Sequence, residues 1–133
     1  MAFKLQVAKS DVLGVGKYKN AKGNTECVEF VRQVTGAPET ALWTKGKKVS
    51  EATAGEIPEG TAIATFDDEG RYPTDAAGRH AAVYLSHDAT GIRVLDQWNN
   101  QGEVKERTIR FNRPKGTRRS NDADTFYVVE SKK

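Results

Sequence analysis

The sequence predicts an α+β domain in which one amphipathic helix packs on a mostly antiparallel sheet of about five strands. Two patterns predict it. Cys27, Phe30, Val31 and Val34 recur at the spacing of a single helical face. From Thr61 onward, short apolar or alternating segments follow one another across hairpin-length, turn-rich connections. A chain of 133 residues with 37% apolar content can bury one core but not two ordinary ones, so a single domain is expected over residues 1–133.

Each element has its own punctuation. Met1 to Val7 alternates, with Phe3, Leu5 and Val7 on one side, and Val12 to Asn24 is a Gly- and Lys-rich loop. The helix follows, with Asn24 or Thr25 as its expected cap and Thr35-Gly36, with Pro38 beyond, as its stop. A short second helix is expected over Glu39 to Trp43, ending near Gly46. Ile57-Pro58-Glu59-Gly60 marks a turn, after which Thr61 to Phe66 reads as a strand and Asp67 to Gly78 as a loop. His80 to Ser86 and Ile92 to Trp98 read as a hairpin, Val104 to Phe111 and Thr125 to Glu130 as further strands, and 112–124 as a polar loop.

Composition excludes several classes of function. No apolar run approaches the roughly 20 residues of a transmembrane helix, so no membrane insertion is expected. The amino terminus lacks the charged and apolar regions of a secretory signal, which predicts synthesis in the cytoplasm without one. A single cysteine permits no internal disulfide. Two histidines and that cysteine, without short ligand spacing, argue against zinc, and no cofactor is expected. Gly14-Val15-Gly16-Lys17 lacks the full phosphate-loop pattern and a preceding strand. A net charge of +3 does not argue for nucleic acid. The positive charge is nonetheless concentrated at Lys105, Arg107, Arg110, Arg113, Lys115, Arg118 and Arg119, a stretch that reads either as a solvated face or as a contact for an anionic partner.

Three residues form a candidate catalytic set. Cys27 falls in the first turn of its helix, where free N–H groups and the helix dipole favour the thiolate. On an apolar face a lone cysteine is ordinarily a core residue, so the weight rests on a base and an orienter. Folding the hairpin regularly about Asp88 sets Ser86 against Thr90, Tyr84 against Ile92 and His80 against Asp96, on one side of the sheet. A slip of one residue would separate the last pair. Thiol, imidazole and carboxylate are the parts that acyl transfer through a cysteine requires. The Cys27 N–H is positioned as one oxyanion donor. His87 lies in a turn and calls for no special role, whereas Tyr18, Glu26 and Trp98 are candidates to line a substrate groove.

The residues also carry a family resemblance. Val15-Gly16-Lys17 with Glu26-Cys27-Val28-Glu29-Phe30-Val31, then Gly60-Thr61-Ala62-Ile63-Ala64, His80-Ala81-Ala82-Val83-Tyr84 and Leu95-Asp96-Gln97-Trp98, resemble in order and spacing the CHAP family of cysteine, histidine-dependent amidohydrolases. The resemblance runs from about Val15 to Trp98. It implies a papain-like fold, cleavage of amide bonds in peptidoglycan, and Cys27, His80 and Asp96 as the triad. The chain departs from the family at Glu26, where glutamine is usual, and at Asp96, where asparagine or glutamate is commoner. A carboxylate cannot donate to an oxyanion, which leaves the second donor open.

A compact amidase with no address of its own also resembles the amidase effectors injected by type VI secretion systems, or a phage lysis enzyme. The first implies delivery to the periplasm or cell wall of a target bacterium and a cognate immunity protein that plugs the cleft, with the basic stretch contributing to the contact. Two alternatives keep the fold: a thiol-dependent toxin acting on a protein, and a non-catalytic module that holds an anionic polymer.

Overall fold

A computed structural model describes residues 2–74 and 78–131. It contains one α-helix, α1 (Cys27–Thr35), and six strands: β1 (Trp43–Lys48), β2 (Ala62–Thr65), β3 (Ala81–His87), β4 (Gly91–Asp96), β5 (Lys105–Arg110) and β6 (Phe126–Ser131). They form one sheet in the order β1-β6-β2-β3-β4-β5, with every pairing antiparallel.

Two apolar layers cover the sheet, and strand alternation decides which residue enters which. Phe30, Val31 and Val34 of α1 pack with Ala62, Ala64, Ala81, Val83 and Leu95 on one face. Ile63, Ala82, Tyr84, Val94 and Phe126 point to the opposite face, where the segments around Val49 and Ala123 cover them. The helix stops where Gly36 adopts the left-handed conformation (φ 77°) and its N–H returns to the Arg32 carbonyl. At the other end neither Asn24 nor Thr25 caps it. Glu26 occupies the cap position without a side-chain bond, and the Thr25 hydroxyl donates instead to the Trp98 carbonyl at 3.2 Å.

Two further expectations are corrected. Glu39 to Gly46 is not a second helix: one 3₁₀ turn, Thr40–Leu42, leads into β1, whose Trp43 is fully buried while Lys45 and Lys47 are exposed. Near the amino terminus Phe3 and Leu5 pack on the core beside a lone bridge from Lys4 to Thr61, whereas Val7 is exposed. The expected loop over residues 67–78 falls partly on residues 75–77, outside the described residues.

The β3–β4 hairpin also departs from regular folding. His87 pairs with Ile92 and Ser86 with Arg93, three positions away from the expected register. A bulge at Leu85 then reduces the offset, so that Tyr84 pairs with Val94 and Val83 with Leu95, two positions away. An even offset preserves the face. Continued to the strand ends, it leaves His80 and Asp96 on the same side as diagonal rather than direct neighbours, still within reach of long side chains.

Gly91 keeps β4 and β5 in contact. A Cβ there would stand 2.4 Å from the Ile109 carbonyl oxygen and 2.9 Å from Thr108 Cγ2. Gly91→Ala is expected to force the two strands apart and to cost on the order of 1–3 kcal/mol, read as a lower urea midpoint. An unchanged midpoint would show that this pairing is held loosely.

Candidate active site

The first residue of α1, Cys27, is positioned from two sides. Glu26 has extended dihedrals, its carbonyl accepts the first helical bond from Phe30, and its carboxylate accepts from the Asn20 amide. The fully buried Gln97 donates through Nε2 to the carbonyls of Glu26 (2.8 Å) and Tyr18 (2.7 Å), tying the helix start to the end of β4.

His80 stands one residue ahead of β3. Its N–H donates to Thr65 Oγ1 at 3.1 Å and its carbonyl accepts from the Thr65 N–H at 3.0 Å, so one residue of β2 fixes its backbone on both sides. Asp96 closes β4 and is fully buried. Its Oδ2 accepts from His80 Nε2 at 2.7 Å and from Arg107 Nε at 2.7 Å, while the Gln101 amide holds its main-chain carbonyl at 2.8 Å. Arg107 reaches this atom because it pairs with Val94, two positions from Asp96 on the same face of the sheet. With Nε2 engaged by the carboxylate, Nδ1 is the imidazole nitrogen left for the sulfur.

The sulfur is surrounded by groups that stabilise its charged form. Burial pushes the Cys27 thiol up, but the adjoining His80 charge and hydrogen bond, the Ala81 N–H and the Tyr72 hydroxyl outweigh it, and the thiol titrates below its ordinary value. For His80, burial favours the neutral ring. The neighbouring thiolate and the bond to Asp96 overcome that and raise its pKa to about 9. Tyr72 Oη lies 3.8 Å from Cys27 Sγ. Burial and the thiolate both push that phenol above its usual range, so it remains an O–H donor.

Cys27 opens into a cleft of about 390 Å³, whose walls include Glu26, Thr40, Tyr72, Arg79 and Trp98. A second hollow of about 370 Å³, lined by His80, Trp98, Arg79 and Arg107, adjoins it. The Arg107 guanidinium lies over the Trp98 ring at 5.0 Å. An extended chain crossing the two hollows would place an amide carbonyl at the sulfur and its nitrogen toward the imidazole, the geometry of thiol acyl transfer.

Of the residues singled out in the sequence, Cys27, His80 and Asp96 converge, and Glu26 and Trp98 line the cleft. Tyr18 does not line it: its ring packs against Phe30 at 5.3 Å in the core, and only its carbonyl serves the site. His87 bonds to Tyr84 Oη and to the Ala52 carbonyl, well away from the cysteine. Among the described residues no group of His, Cys, Asp and Glu is arranged to hold a metal ion.

Three neighbours of the site lie outside the residues singled out from the sequence. Arg107 sits within the basic stretch, although alternation with buried Ile109 marks it as inward-facing. Gln97 carried a signal as an amide amid apolar strand residues. Tyr72, in an irregular loop, carried none.

The chain is similar to known proteins along most of its length. The model of the domesticated amidase effector 2 family matches residues 5–129. A type VI secretion amidase effector 2 protein from Salmonella typhi is 36% identical over 115 residues, covering 79% of this chain and 84% of that protein. A domesticated amidase effector 2 from Ixodes scapularis is 36% identical over 123 residues, covering 90% and 75% respectively. The solved structure of a type 6 secretion amidase effector 2 superposes with a TM-score of 0.79 at 31% identity, over 97% of this chain and 95% of that one. With its fold shared along nearly its whole length, the chain belongs to the domesticated amidase effector 2 family.

Proposed function

We propose that this chain is a peptidoglycan amidase of the antibacterial effector kind, and that Cys27, His80 and Asp96 carry out its chemistry. The observation that carries the reading is the bond from His80 to the buried Asp96 beside Cys27, at the floor of an open cleft. In the resting site the thiolate and imidazolium form an ion pair. The sulfur attacks the amide carbonyl while the Cys27 N–H faces the developing oxyanion. The leaving amine takes the His80 proton, and water, deprotonated by the same ring, releases the acyl group. Asp96 holds the ring's orientation, and Arg107 holds Asp96.

Family membership supports a wider biological reading. Relatives named for type VI secretion support delivery into the periplasm or wall of a target bacterium. An enzyme delivered this way endangers sister cells, which supports a cognate immunity protein that blocks the cleft. The rim suits an acidic plug: Arg79 and Arg107 line the hollow beside His80, and Arg107, Arg110 and Arg113 line the next one.

Two measurements test the chemistry. Cys27→Ala is expected to stay folded and to release no fragments from purified sacculi, with mass spectrometry as the readout; undiminished release by the variant would end the proposal. The pH dependence has a defined sign. Activity should rise as Cys27 ionises, below the ordinary thiol range, and fall as His80 loses its proton near about 9. Because Asp96 favours the charged imidazole, Asp96→Asn should move the alkaline limb of kcat/KM to lower pH. A limb that stayed in place would separate Asp96 from the titration of the base.

A further inference from the structure

Collapse of an amide into a tetrahedral intermediate places a full charge on the former carbonyl oxygen, and enzymes of this chemistry normally meet it with two donors. The Cys27 N–H supplies one, as a first-turn group without an intrahelical acceptor. The position beside the nucleophile cannot supply the other. Glu26 carries only acceptor oxygens there, and one of them is engaged by Asn20. Gln97 cannot substitute, since it is fully buried and its amide hydrogens go to two carbonyls. Arg107 is turned away from the sulfur, with Nε on Asp96 and its guanidinium over the Trp98 ring.

We propose that the Tyr72 hydroxyl is the second oxyanion donor, which makes Tyr72 a catalytic residue of this chain. The proposal rests on the reading of Cys27 as nucleophile. Three features support it. The hydroxyl stands 3.8 Å from Cys27 Sγ on the wall of the same cleft, and the oxyanion forms two covalent bonds from that sulfur. The ring is braced, packing edge-on against Trp43 with centroids 5.3 Å apart, while the Trp43 indole N–H is fixed on the Pro38 carbonyl at 2.8 Å. Burial and the neighbouring thiolate keep the hydroxyl protonated.

The step balances without a proton from Tyr72. As the C–S bond forms, the carbonyl π pair moves to oxygen, and the hydroxyl turns its hydrogen bond from sulfur to that oxygen. Collapse restores C=O and breaks the C–N bond, and the amine departs with the His80 proton.

The test is Tyr72→Phe, which keeps the ring and removes one atom. Rates are measured on purified muropeptides across pH and normalised to the Cys27 that iodoacetamide can titrate in folded protein, so that any loss of fold is corrected. We expect kcat to fall by about 10²–10³ with KM within a few fold, and the deficit to persist at pH values where the thiol is fully ionised. A peptide aldehyde, whose hemithioacetal with Cys27 presents the same oxygen, should lose affinity in parallel. A kcat within threefold of wild type at every pH would overturn the proposal. So would a deficit that closes as pH rises, which would confine the hydroxyl to stabilising the thiolate. Full activity in a parallel Cys27→Ala sample would instead remove the nucleophile on which the proposal rests.

Discussion

A carboxylate with no accessible surface governs the architecture of this site. A buried charge is tolerated only when paired, and Asp96 is paired twice through one oxygen, with His80 on one side and Arg107 on the other. Adding the thiolate gives a chain of four groups that alternate in sign: Cys27, His80, Asp96, Arg107. Their charges sum to zero, so the protein buries an extended line of ions without burying a net charge. Each member also comes from a different element, namely the helix start, the residue before β3, the end of β4 and the middle of β5. The line therefore exists only when those elements are in register, and in the proposed mechanism the sheet pairings act as positional controls on the chemistry.

That dependence explains what the sequence made legible. The helix and its end follow from local signals: the spacing of Phe30, Val31 and Val34, and a glycine at position 36 that can adopt a positive φ. The juxtaposition of His80 and Asp96 was also readable, because facing depends only on whether a register offset is even or odd. The hairpin starts three positions from the regular pattern, and the bulge at Leu85 makes the final offset two. The number of residues in the turn did not disclose the bulge, but side-chain parity survived it.

What stayed hidden lacked a periodic signature. The helix expected over Glu39 to Trp43, ending near Gly46, gives way to β1 because Trp43–Lys48 is an edge strand: it buries its tryptophan and exposes Lys45 and Lys47, the usual protection of a sheet edge and a poor imitation of a core strand. Arg107 belongs to a basic stretch whose other members suggest a solvated face, and only the β4–β5 register distinguishes it. Tyr72 lies in a loop, where position is set by tertiary contacts with Trp43 and Cys27 rather than by spacing. Tyr18 shows the opposite case: an aromatic beside a glycine-rich loop has the pattern of a groove wall, but here it completes the packing of Phe30.

The same charge line bears on whether the fold acts as a catalyst or only as a binding surface. Replacing a buried ion pair with well-packed apolar side chains is often neutral or stabilising, so stability alone gives no reason to keep four ionisable groups at one strand end. A module that merely held an anionic polymer could use the exposed Arg110 and Arg113, but it would gain nothing from an Arg107 whose Nε is turned to a buried carboxylate and whose guanidinium lies over Trp98. Nor would such a module gain from a thiol lowered and an imidazole raised at the floor of an open cleft, since both shifts serve to keep a reactive sulfur charged. The proposed mechanism accounts for the two departures together: in it the burial cost borne at Asp96 serves to orient the ring, and the oriented ring serves to keep the sulfur nucleophilic.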